Sequence, residues 1–368
     1  MSQEAARPYI GGQAVIEGVM MRSPSSLSIV CRRRSGELVV RERPAPPMMK
    51  GPRTWPFLRG ISTVVESLKL GSRALRWSGE LYEQDLQAED EGRSPPPSPG
   101  VLSAMAISVV ALATQTSEPA FPSGDGGKKG GGLLAILPII LAIGLFVVAP
   151  QAAAEGVNKL LKLGLEVTSP GYQAITGAAK LCIVVGYMLL LRRMPITLRL
   201  FQYHGAEHKA ISTYEAKQDL VVENARRMTT MHPRCGTTFL VMVTLVSILL
   251  FTALGTFLPH IPGGRAAEFA GFLLMKLPFL PVLAAVTYEI QRIFARYCTV
   301  GPLRVVLWPG FLVQKITTAE PDDAQLEVAL ASLRATLWRE EAVEAPAPAD
   351  RTFAGYGELL ADPGYARA

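Results

Sequence analysis

The sequence predicts a mainly α, multi-pass helical membrane protein with about four transmembrane helices and a small α+β cytosolic module at its N-terminus. Three observations carry this. Hydrophobic residues make up 49% of the chain against 18% charged, and the mean hydropathy is +0.25. The apolar residues come in uncharged blocks rather than at amphipathic spacing. Lysine and arginine flank those blocks, as they do in the cytoplasmic loops of membrane proteins. The net charge of +6 therefore points to a lipid bilayer and not to nucleic acid. Four scattered cysteines form no disulfide framework, consistent with a reducing compartment.

In chain order, residues 1–83 read as the cytosolic module. "LSIVCRRRSGELVVRERP" places two β-leaning runs around Ser35–Gly36, a hairpin signal. The N-terminal stretch lacks the apolar core of a signal peptide, so insertion is expected to use internal spans. In "FLRGISTVVESLKLGSRALRW", Ile61, Val64, Val65, Leu68 and Leu75 recur at roughly helical spacing. Such a helix either lies on a membrane surface or packs on the hairpin. Gly11, Gly12 and Gly18 in "GGQAVIEGVMMR" lack the pattern of a nucleotide-binding loop and read as turn glycines. Glu17 and Arg22 are expected to pair with each other or with the loop that carries the site.

Residues 84–132 read as a linker, with a short apolar segment at 101–114 that falls below the length of a span. The transmembrane domain is placed at 133–300. Its expected spans are "LLAILPIILAIGLFVVAPQAAA", "AITGAAKLCIVVGYMLLL", "TTFLVMVTLVSILLFTALGTFL" and "FAGFLLMKLPFLPVLAAVTYEI". Lys180 inside the second either snorkels toward the interface, the more common outcome, or marks a polar contact within the bundle. The basic loop 192–236 is placed in the cytoplasm by its lysines and arginines, and with four spans both termini lie there too. Residues 301–338 read as a membrane-edge segment followed by a docking helix, whose Leu326, Leu330, Leu333 and Leu337 form one stripe. The Ala/Pro-rich remainder, 339–368, is expected to be disordered.

The chain holds only four histidines, and three fall close together. If 196–217 is helical, His204 and His208 share one face, one turn apart. His204-Gly-Ala-Glu207-His208 matches H-x-x-E-H, in which two imidazoles hold zinc and the glutamate acts as general base. "HPRCG" adds His232 and Cys235, both competent zinc ligands. The expected spans bring all of them, and Glu289, to the cytoplasmic face. Glu215 lies about 10 Å along the helix from His208, and is expected to join only if the helix breaks. The expected set is thus Glu207 as catalytic base with His204, His208, His232 and Cys235 as ligands, Cys235 serving either as fourth ligand or just outside the ligand set. Three ligands would leave a position for water, and four would close the site.

"GGQAVIEGVMMR", "RGISTVVESLKLG", "YHGAEHKAISTYE", "HPRCGTTF", "TYEIQR" and "PGFLVQKITTAEPDDAQLEVAL", in that order, resemble the YqhQ-like family of bacterial membrane proteins. That family is catalogued as a domain of unknown function and sometimes labelled a predicted metal-dependent enzyme. The resemblance implies a multi-pass protein of the bacterial inner (plasma) membrane, and supports the same five site residues. It supplies no reaction. Two functions from different classes follow: a zinc-dependent hydrolase at the cytoplasmic membrane face, or a non-enzymatic scaffold or assembly factor with a structural metal or none. Expected partners are the lipid bilayer and either other membrane proteins or a second copy of the chain.

Overall fold

The computed structural model describes residues 7–45, 51–90, 141, 143–255, 263–276, 278–298, 302–342 and 348–366. A five-stranded antiparallel meander, β1 (Gly11–Val15), β2 (Gly18–Arg22), β3 (Ser26–Arg32), β4 (Leu38–Pro44) and β5 (Arg351–Phe353), runs in sequence order. The expected hairpin is β3–β4, registered Arg32 to Leu38, and Gly36 takes the positive φ its turn needs (94°). β1 and β2 form a second hairpin, whose tight turn falls on Ile16–Glu17 rather than on a glycine. Glu17 itself adopts φ 50°.

Because side chains alternate along a strand, the sheet buries both faces. Val15, Met20, Leu27, Ile29, Cys31 and Val39 face Leu70, Ala74 and Trp77 of α1 (Leu58–Asp90). That helix therefore packs on the sheet, and it continues past residue 83 into the expected linker. Its first turns leave the sheet, and Arg59 pairs there with Glu289 at 2.5 Å. Ala14, Val19, Met21, Val30, Leu38 and Val40 face the other way, into the largest core.

That core is closed by two helices, α4 (Pro195–Glu215) and α10 (Asp323–Glu341). The expected docking helix is α10. Asp322 accepts from the Gln325 N–H and Gln325 returns a bond to the Asp322 N–H, a capping box. Leu326, Leu330 and Leu333 are fully buried. Its polar Ser332 and Thr336 are buried as well, because the Ser26 and Ser28 hydroxyls donate to the Thr336 and Ser332 carbonyls.

Between the modules lie α2 (Ala149–Leu160), α3 (Pro170–Arg192), the short α5 (Val222–Arg227), α6 (Gly236–Gly255), α7 (Gly264–Lys276), α8 (Phe279–Tyr297) and α9 (Trp308–Thr317). Four spans are not shown among the described residues. Among the described residues, α3 and α6 are long and apolar enough to cross a membrane. α7 and α8, bent by 50° at their junction, make a third only if counted as one. The break sits where Lys276 and Pro278 interrupt the apolar run. The segment 101–114 and the first part of the expected first span, through residue 140, fall outside the described residues. The described end of that span is a π-helical stretch, Gly144–Val148, leading into α2. The apolar windows of α3 and α6 are only 28% and 39% buried, so most of their side chains face outward.

The described part of the expected disordered tail, residues 339–342 and 348–366, is ordered into helix and strand. β5 pairs with β4, Leu38 opposite Phe353. Two short helices follow, α11 (Tyr356–Ala361) and α12 (Pro363–Ala366). Tyr365 is fully buried beside Trp338 and Phe353, and its hydroxyl donates to Glu42. An Ala/Pro-rich composition concealed three anchors, Phe353, Leu359 and Tyr365, which are enough to cover an otherwise open sheet edge.

Candidate metal centre

α4 carries the H-x-x-E-H string. Pro195 at its start has no N–H to lose there, and the helix then runs unbroken to Glu215. It is not amphipathic, because it is covered on nearly every side: by β1 and β2, by α10, by α3, and by the chain leaving α9. His204, Glu207, His208 and even Lys209 are buried, the last held by Glu320 and the Arg226 carbonyl.

One donor atom each from His204, His208 and Cys235 lies within 4.8 Å of the others, all buried. His204 Nδ1 is 2.9 Å from the Thr317 carbonyl, and His208 Nδ1 is 2.5 Å from the Thr230 carbonyl. A carbonyl only accepts, so each Nδ1 carries the proton and each Nε2 keeps its lone pair. His204 Nε2 is 3.2 Å from Cys235 Sγ. Burial and the neighbouring His204 and His232 hold His208 well below its ordinary pKa, so it is neutral. This is the state a metal ligand requires.

Cys235 stands just before α6. Burial pushes its thiol up to about 11, although the Thr237 hydroxyl and the N–H groups of residues 236–238 draw it back. Without a cation it is a neutral thiol at physiological pH. With one, the same N–H groups support the thiolate.

His232 is not in that three-residue group. Its ring lies 5.7 Å from that of His208, and its Nε2 is 3.3 Å from Glu215, which also pairs with Arg234. Burial lowers its pKa to about 4. Glu215 reaches the site's edge without any helix break, because the loop after α5 brings His232 to it. Glu289 is engaged by Arg59 and stands apart.

Glu207 is buried against β1. Burial raises its carboxyl to about 8, opposed by His204 and by the Ala14 N–H, while Cys235 adds to the rise. It is therefore protonated at neutral pH when no cation offsets the burial. Gly12 makes its position possible: a Cβ there would stand 2.8 Å from Glu207 Cγ, Glu207 Oε1 and Met21 Sδ. Gly12 serves close approach, not a turn. Glu17 pairs with Arg199 on α4, while Arg22 takes Glu66 of α1 at 2.6 Å.

The supporting residues were not legible as such in the sequence. The chain after α9 lies against α4: the Ala319 N–H bonds the Phe201 carbonyl at 2.9 Å, and a Cβ on Gly205 would meet the Ala319 oxygen at 2.2 Å. Gln314, fully buried, accepts from the His232 N–H and donates to the His232 carbonyl and the Thr238 hydroxyl. It thereby fixes the turn that presents Cys235. Only the presence of Gln314 and Gly205 inside otherwise apolar or motif-bearing blocks hinted at these roles.

Compared with known proteins, residues 55–339 match the family model DUF1385, described as a protein of unknown function. The "Uncharacterized protein YqhQ" of Bacillus subtilis (strain 168) is 27% identical over 339 residues, covering 92% of this chain and 95% of that protein. No solved structure matches the chain.

Proposed function

Because the chain belongs to the DUF1385 family, whose description states no reaction, we propose from its site that it is a zinc-dependent hydrolase of the bacterial plasma (inner) membrane. His204, His208 and Cys235 hold the ion, and Glu207 is the general base. The observation that carries this is the pair of main-chain carbonyls, Thr317 and Thr230, that hold both imidazoles through Nδ1, in a buried group with the Cys235 thiol. Two imidazoles and a thiol make a donor set that suits zinc, and three protein ligands leave one position for water or substrate. A zinc ion there supplies Lewis acidity and lowers the pKa of water. Glu207 would be the group that takes up a proton there, because a cation beside it would offset the burial that keeps it protonated. His232, neutral and tied to Glu215, orients groups entering from the side of Arg234.

Two further features support the membrane placement. α3 and α6 expose most of their apolar windows, which suits lipid and not water. The basic segment 192–236 also fits the cytoplasmic face, with the sheet and both termini on the same side. Partners would be the bilayer and either other membrane proteins or a second copy.

A second reading, a structural clip, is favoured by the burial of every ligand. An ion there would join α4 to the start of α6. Metal analysis of the purified full chain, with functional complementation of a deletion strain, separates the two. The hydrolase reading expects about one zinc per chain, loss of it in His208→Ala, and metal retained but complementation lost in Glu207→Gln. Full complementation by Glu207→Gln leaves only the clip, and wild-type protein without stoichiometric metal ends both.

A further inference from the structure

A second site lies among the apolar helices, away from the metal centre and independent of it. α3, α6, α7 and the π-helical stretch before α2 border a small, partly open cavity of about 60 Å³, lined in part by Gln173, Thr176, Lys180, Ser247, Phe251 and Lys276. Lys180 and Lys276 both line this space. Among the described residues, no carboxylate lines it.

Each lysine has donors to spare. Lys276 gives one bond to Gln151 Oε1 at 3.3 Å, and its ammonium lies over the rings of Phe251 and Phe272, at 5.2 and 4.6 Å. Lys180 makes no hydrogen bond or ion pair among the described residues. Glu155 of α2 is engaged by Arg265 and Lys159. The Thr176 and Ser247 hydroxyls donate to the Tyr172 and Thr244 carbonyls, so the lysines are the free donors.

Two ammonium groups in one apolar cavity without a counter-charge are costly. The cavity also sits where the surrounding helices are irregular. α7 ends at Lys276 before the 50° bend into α8, and the π-helical stretch contributes Phe146 and Val147. Irregular backbone at membrane depth is found where it lines a site. Lys180 lines this cavity, which fits the polar contact within the bundle expected as one of its two roles.

We propose that Lys180 and Lys276 form a binding site for a phosphate group within the helical bundle, the ligand being either a free phosphate or the headgroup of an anionic phospholipid. The test uses the full chain in phosphatidylcholine nanodiscs, with thermal unfolding followed as inorganic phosphate is added. A parallel set of nanodiscs contains phosphatidylglycerol. A ligand of the native state raises the Tm by mass action. Wild type should be stabilised by at least one of the two anions. Lys180→Met and Lys276→Met should each weaken that response at least tenfold in anion concentration, and Lys180→Arg should keep it. A response to inorganic phosphate identifies a free anion, and one to phosphatidylglycerol alone identifies a headgroup. The Met variants relieve like-charge repulsion and should fold; if one does not, Lys180→Gln takes its place. No response from wild type to either anion, or an undiminished response in the neutral variants, overturns the proposal.

Discussion

Gly12→Ala tests whether β1 and the Glu207 carboxyl are built as one unit. A methyl group at position 12 would lie 2.8 Å from Glu207 Cγ, Glu207 Oε1 and Met21 Sδ. Non-bonded carbons normally approach to about 3.5–4.0 Å. Roughly an ångström must therefore be recovered by moving Glu207, Met21 or the strand. Met21 is fully buried and has little room to retreat, so much of the adjustment falls on Glu207. Overpacking of this kind costs about 1–3 kcal/mol. Gly11→Ala is the internal control, since its Cβ would find only Tyr9 Cε1, at 3.9 Å. That change should stay within about 0.5 kcal/mol of wild type. Thermal and denaturant unfolding of the purified variants provides the comparison, with complementation assayed alongside. Gly12→Ala should lose both stability and function, and Gly11→Ala neither. Equal behaviour of the two variants would refute the claim that Gly12 exists to admit Glu207.

Other substitutions probe neighbouring parts of the account. Gly205→Ala drives a methyl into the Ala319 carbonyl, 2.2 Å away, and should displace the Thr317 carbonyl from His204; metal analysis should show reduced zinc even where circular dichroism shows a folded chain. Tyr365→Ala empties a fully buried aromatic site and should cost about 3–5 kcal/mol by denaturant unfolding, whereas a disordered tail would show no change. Glu340 governs a pH effect. Its burial raises the carboxyl, but bonds from Ser23, the Ser25 hydroxyl and the Ser25 N–H outweigh that and hold it below its ordinary 4.5. A carboxyl depressed on folding stabilises fully above its unfolded pKa, and that contribution is lost as pH falls through the lower folded value. Glu340→Gln should therefore flatten the stability profile below pH 4.5, which stability curves between acid and neutral pH can check.

The sequence disclosed what depends on local pattern. Ser35–Gly36 between β-leaning runs marked a hairpin, the leucine stripe from Leu326 marked α10, and the four-residue spacing of His204 and His208 marked one helical face. It concealed what depends on distant packing. Gly12 reads as a turn residue until β1 is seen against Glu207. The carbonyls of Thr230 and Thr317, which set both imidazole tautomers, belong to the main chain and carry no side-chain signature. His232 and Cys235 share a turn, yet Gln314 fixes that turn so that only Cys235 joins the pair on α4. Residues 348–366 misled for the opposite reason, because three buried side chains, Phe353, Leu359 and Tyr365, outweigh their composition. Of the four expected spans, two or three are seen among the described residues, the last one bent where Lys276 and Pro278 interrupt its apolar run.

The central claim is that two imidazoles and one thiolate hold a zinc ion on α4 and at the start of α6. X-ray absorption at the zinc edge of the purified full chain tests it most directly. The account predicts two nitrogen scatterers at about 2.0–2.1 Å, one sulfur at about 2.3 Å and one further light atom, with the sulfur shell absent in Cys235→Ser. A metal-free protein, or a zinc shell without sulfur in the wild type, would contradict it.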